Sequence, residues 1–126
     1  MGTVSIDFDG VIHSYEKGWH DGTIYGEPLP GAFDGIHALM TVHSVVITTC
    51  RHPEQVSDWL FDRRLMINQT WEPPGEVICD FWNERDRILI TNRKLPSVVY
   101  LDDRAVRFYN WKQAIAEMSY VIEQKV

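Results

Sequence analysis

Cysteine is scarce in this chain: two thiols, Cys50 and Cys79, in 126 residues. Two cysteines at this length make no disulfide framework, so a reduced, cytoplasmic setting is the expectation. Long apolar runs are lacking as well. No stretch approaches the ~20 residues needed to span a bilayer. The opening Met1-Gly2-Thr3-Val4-Ser5-Ile6-Asp7 has neither the basic region nor the apolar run of a secretory leader. Ile6 stands where a myristoylation motif wants Ser or Thr. A soluble protein with no membrane partner is expected. Positive charge is in deficit: 12 Lys and Arg against 18 Asp and Glu give a formal net charge of -6. That balance argues against non-specific binding to nucleic acid or anionic membrane, since both need a basic surface. It leaves room for a local basic pocket drawn from Arg51, Arg85, Arg87, Arg93, Lys94, Arg104 and Arg107. The five histidines, at 13, 20, 37, 43 and 52, show no paired zinc-ligand spacing. Repeats, linkers and low-complexity segments are missing too.

What remains is the composition of an ordinary globular protein, 44% apolar and 24% charged. The length suits one domain over residues 1–126. Val4-Ser5-Ile6-Asp7-Phe8 reads as a strand ending at the turn signal Asp9-Gly10. Residues 11–30 lack helical period and read as an ordered loop or small hairpin. A helix opens at Pro30-Gly31, with Phe33, Ile36, Leu39 and Met40 at helical spacing. Val45-Val46-Ile47-Thr48 reads as a strand covered on both faces. Pro53 starts a helix through Val56, Trp59, Leu60 and Leu65. Leu65-Met66-Ile67 is a possible short strand, and residues 76–87 a brief strand with a loop or hairpin. Arg87-Ile88-Leu89-Ile90 and Val98-Val99-Tyr100-Leu101 are further strands. Asn110 caps a last helix from Trp111 to about Met118, with Gln113 in a capping-box position. Alternating strands and helices predict a three-layer α/β/α sandwich with a mostly parallel, Rossmann-like sheet. Ligands bind such sheets at the carboxyl ends of the strands.

Acids stand at those ends. Asp7 and Asp9 close the first strand, and Asp102 and Asp103 follow the last. Asp is a poor strand residue, although each acid taken alone also suits a helix cap or turn. If the two strands are neighbours the carboxylates converge. Two like charges ~4 Å apart repel by about 4 kcal/mol at an effective dielectric of 20, and a cation relieves this. An all-oxygen site suits magnesium better than zinc. Thr48 and Thr49 end the middle strand, where a hydroxyl and helix N–H groups can hold phosphate; Thr48 reads better as a strand residue. Lys94, just before the last strand, can neutralise phosphate and carboxylate together.

In this order the segments resemble the haloacid dehalogenase-like (HAD) hydrolase superfamily. Its Asp-x-Asp-Gly strand end is matched by Ile6-Asp7-Phe8-Asp9-Gly10-Val11, and its strand ending in Thr by Val45-Val46-Ile47-Thr48-Thr49. Its Lys is matched by Lys94, and its acid-terminated strand by Val98-Val99-Tyr100-Leu101-Asp102-Asp103. Pro30-Gly31-Ala32-Phe33, Thr49-Cys50-Arg51 and Leu101-Asp102-Asp103-Arg104-Ala105 further look like small members without a cap domain, from bacteria and phages. The resemblance implies a magnesium-dependent phosphatase in which Asp7 is transiently phosphorylated and Asp9 is the general acid and base. Magnesium would be held by Asp7, the Asp9 carbonyl and Asp102, with Asp103 acting through water or from behind the direct ligands. Thr49, Lys94 and the Phe8 N–H would hold transferring oxygens. Between residues 10 and 30, and between 68 and 91, there is room for a hairpin but not a folded cap, so the site should be open. Trp19, His20 and Tyr25, with Arg51, are then possible substrate contacts, or the aromatics pack the loop onto the body.

The implied partner is a phosphorylated small molecule or nucleotide. A nucleic-acid 3′-end phosphatase of the same superfamily is an alternative, which the net charge of -6 disfavours. A receiver-like module, phosphorylated on Asp without being an enzyme, resembles a different pattern, with its adjacent acids first and its Lys last. Cys50-Arg51 does not make a cysteine phosphatase loop, because the position six after Cys50 is Val56 rather than Arg.

Overall fold

The computed structural model describes residues 2–125. Short β-branched and aliphatic runs become five strands: β1 (Thr3–Asp7), β2 (Ser44–Thr48), β3 (Gln69–Trp71), β4 (Ile88–Thr91) and β5 (Val99–Leu101). Helices α1 (Ala32–Met40) and α2 (Pro53–Asp62) lie between strands, and α3 (Trp111–Lys125) ends the chain. The sheet order is β3-β4-β2-β1-β5, and every pairing is parallel. This is a three-layer α/β/α domain of generic Rossmannoid type.

The side-chain period of two sorts each strand between two cores. Val4, Ile6, Val45, Ile47, Ile88 and Ile90 point to one face, where Ile36 of α1 and Val56, Trp59 and Leu60 of α2 cover them. Val46 and Leu89 point to the other, against Trp82 and Leu95. Chain direction explains the division. From β1 through α1 to β2, and through α2 to β3, the path advances one way along the sheet, and right-handed crossovers put both helices on one face. From β3 to β4 and on to β5 it returns, so residues 72–87 and 92–98 cross the opposite face. Irregular chain, rather than a helix, covers most of that second face.

Several boundaries differ from the sequence expectation. Leu65-Met66-Ile67 is no strand: Arg64 and Met66 both take positive φ, 63° each, and turn the chain after α2. Leu65 is instead a buried plug, and β3 begins four residues later. Residues 76–87 form no strand. Their one buried apolar side chain, Trp82, packs on Val46 and Leu89 and donates its indole N–H to the Arg87 carbonyl. Asn110 does cap α3, accepting from the Gln113 N–H at 2.9 Å, but the helix runs on to Lys125 rather than Met118. No helix among the described residues is long and apolar enough to cross a membrane.

Candidate functional site

Sheet register builds the site. Asp7 pairs with Thr48, Thr48 with Thr91, and Ile6 with Leu101. The carboxyl ends of β4, β2, β1 and β5 therefore present Thr91, Thr48, Asp7 and Asp102 side by side. Asp102 and Asp103 follow β5 directly. One carboxylate oxygen each from Asp7, Asp102 and Asp103 lies within 4.8 Å of the others. Burial, first, and then the charges of Asp102 and Asp103 push the Asp7 carboxyl up to about 6. Three carboxylates with no ion-pair partner among the described residues make a donor set that a divalent cation would satisfy; it fits magnesium without being specific to it. Gly10 makes the approach possible. Its φ is 86°, and a Cβ there would collide with the Asp103 carboxylate.

A cleft of about 480 Å³ opens beside Asp7 and Asp102, lined also by Thr49, Cys50, Arg93, Lys94 and Tyr100. Thr49 is buried and accepts the Arg51 N–H on its hydroxyl oxygen at 2.9 Å, which leaves the hydroxyl proton to donate. Lys94 is exposed, with its ammonium 4.7 Å from the centre of the Tyr100 ring. Thr48 lines the cleft from its place within β2. Phe8 is fully buried and its N–H is donated to the Thr48 carbonyl at 3.0 Å, so strand continuation already occupies that group.

Asp9 faces elsewhere. Its carboxylate accepts from Arg51 Nε at 2.9 Å and from His13 Nδ1 at 2.9 Å. The His13 ring is completely buried, and its Nε2 accepts the Gly26 N–H at 3.0 Å. A nitrogen that accepts from an amide carries no proton, so Nδ1 is the donor to Asp9. Arg51 is 2% exposed, donates Nη1 to the Gly22 carbonyl at 2.7 Å, and lies 4.6 Å from the centre of the Trp19 ring. Its Nη2 is buried without a hydrogen-bond partner. Asp9 is thus outside the acidic cluster, and only its main chain remains for a cation.

The flap aromatics hold the 11–30 loop together. The Tyr25 hydroxyl donates to the Gly18 carbonyl at 2.8 Å, and its ring packs edge-on against His13 and His20. Trp19 stacks on Arg51 and is half-exposed. None of Trp19, His20 and Tyr25 lines the cleft.

Sequence reasoning missed one polar network. Glu72, just past β3, is 1% exposed and accepts from Arg93 Nε and Nη2 at 2.7 and 2.6 Å, and from the Thr91 hydroxyl at 2.7 Å. The Arg93 guanidinium, the Thr91 hydroxyl and the Ile78 N–H hold its carboxyl down at about 2. The network braces the turn after β4 that presents Lys94. Its sequence signal was weak: Glu72 sits in Trp71-Glu72-Pro73-Pro74-Gly75, which reads as a chain break.

The fold and site together define a parallel α/β sandwich with an acidic, potentially metal-binding cluster at its strand ends. A solved structure, described as that of a conserved protein coded by a locus from Bacteroides thetaiotaomicron, is similar at a TM-score of 0.50 and 22% identity, covering 99% of this chain and 92% of that one. The likeness concerns the fold. No protein-family profile and no curated protein matches the chain.

Proposed function

We propose that this protein is a magnesium-dependent phosphatase of the HAD-like kind, without a cap domain, that hydrolyses a phosphomonoester through an aspartyl-phosphate on Asp7. The observation that carries the reading is the meeting of Asp7 with Asp102 and Asp103 within 4.8 Å, on a cleft that also holds Thr49 and Lys94. The four motifs of the resemblance supply those residues in the expected order.

Asp7 attacks phosphorus in line, and the bond to the leaving oxygen breaks as the bond to the carboxylate forms. Thr49 and Lys94 donate to the equatorial oxygens, whose charge spreads in the transition state. Asp7, Asp102 and Asp103 would hold magnesium, with the Asp9 carbonyl as a further ligand; the ion would supply positive charge between nucleophile and phosphate. Asp9 protonates the leaving oxygen and then takes a proton from the water that releases phosphate. To do so its carboxylate must rotate away from both Arg51 and His13. Asp103 belongs with the direct ligands in this reading, because one of its oxygens lies within 4.8 Å of oxygens of both Asp7 and Asp102.

The test is turnover of a generic aryl phosphate with magnesium present. Activity is expected to disappear in Asp7→Asn, with the circular dichroism spectrum unchanged, and to stop on chelation. Wild-type rates in either condition would reject the reading.

A further inference from the structure

The last helix leaves an apolar stripe in solvent. Along α3, Trp111, Ile115, Met118 and Ile122 recur at steps of three and four residues, which places them on one helical face. All four are exposed, Trp111 by 70%. Among the described residues no strand or other helix runs alongside α3. A neighbouring face, carrying Val121 and Lys125, borders a hollow with Tyr15, Leu29 and Arg104.

A second apolar surface is bare on the sheet. β5 forms the edge beside β1, and its Val99 and Leu101, in register with Val4 and Ile6, are half-exposed. Next to them Val11, Gly35, Ile36, Leu39 and Leu101 line an apolar groove of about 210 Å³ along α1. Parallel strands are normally covered on both faces, and an open apolar edge invites another chain.

The areas say how much is uncovered. A folded monomer of 14.7 kDa exposes roughly 6,900 Å², whereas this chain exposes 8152 Å². The excess is about 1,200 Å², while one partner in an interface of standard size buries about 800 Å². The surplus is what a protomer taken out of a stable dimer would show.

We propose that two copies of this chain pair by exchanging α3, so that the Trp111–Ile115–Met118–Ile122 stripe of each seats in the groove between β5 and α1 of the other. One chain carries both apolar surfaces, so a two-fold pairing uses each of them twice and closes. Residues 102–110 are the connection across which the helix reaches. The exchange would also tie the acidic cluster to the dimer, because Asp102 and Asp103 begin that connection.

Sedimentation equilibrium at micromolar protein is expected to give twice the chain mass of 14.7 kDa, and the Ile115→Glu/Met118→Glu variant a folded monomer under the same conditions. A monomeric wild type, or a double variant that stays dimeric, would overturn the proposal. A cysteine pair separates exchange from α3 closing on its own sheet. In a Cys50→Ser/Cys79→Ser background, Gly35→Cys with Ile115→Cys should oxidise to a band of two chains on a non-reducing gel. Gly35 suits this because a Cβ there meets open space. A one-chain band after oxidation would equally overturn it.

Discussion

Asp7 carries two opposed demands. In its proposed role as nucleophile it must be ionised, yet folding raises its pKa from 3.8 to about 6. The folded state therefore holds that proton more tightly than the unfolded chain, and the stability this gives below about pH 4 is lost as pH rises through 6. Without a divalent ion, Asp7→Asn should stabilise the protein at pH 7. Solvent screening at this half-buried site limits the gain to about 1 kcal/mol. A melt in chelator checks it, and a lower melting temperature for the variant would contradict the electrostatic account. Glu72 has the opposite sign. Its pKa falls from 4.5 to about 2, so its contribution is complete above 4.5 and lost as pH falls toward 2. Glu72→Gln is expected to cost ~3 kcal/mol at neutral pH and to flatten the acid limb of the stability curve. Denaturant titrations at pH 7 and pH 3 measure both effects. At this scale the sequence was legible in placement: Asp7, Thr49, Lys94 and Asp102 line one cleft, and Asp103 lies beside Asp7 and Asp102. Glu72 and His13 were not legible: both are buried polar groups, and each also bonds a residue more distant in the chain, Arg93 for Glu72 and Gly26 for His13.

Elements position those residues, and their legibility followed periodicity. Val45-Val46-Ile47 and Ile88-Leu89-Ile90 are apolar throughout and became fully buried strands. β3 was misplaced because its Gln69, Thr70 and Trp71 lack that continuity, while the nearby Leu65-Met66-Ile67 has it yet lies across a turn with positive φ. The second face was harder still. Residues 72–87 and 92–98 cross it with little repeating structure, held by Trp82, Leu95 and the bond between the Ser5 and Ser97 hydroxyls. On the first face, Trp59 of α2 links α1 and the flap through edge contacts with Phe33, Phe8 and His13. Trp59→Ala should cost about 3–5 kcal/mol and weaken the placement of His13 against Asp9. Chemical denaturation gives the first effect; loss of activity in refolded protein at saturating substrate gives the second. A cost below about 1 kcal/mol would mean the ring is not a packing centre.

For the whole molecule, the proposed metal site would couple stability to divalent cations through the acidic cluster. An ion that binds only the folded state raises stability with the logarithm of its concentration over its dissociation constant, about 2.7 kcal/mol at a hundredfold excess. Magnesium should therefore raise the melting temperature of the wild type and leave Asp102→Asn/Asp103→Asn unmoved. An equal rise in both would place the ion elsewhere. The open cleft and the body of the fold meet at Asp7, and the phosphatase reading depends on that one carboxylate becoming phosphorylated. Its most direct test is to quench the reaction in acid during turnover of an aryl phosphate, reduce with borohydride, and read the peptide containing Asp7 by mass spectrometry. The account predicts homoserine at position 7, formed from the acyl phosphate. Unaltered Asp at position 7 during demonstrable turnover would contradict it.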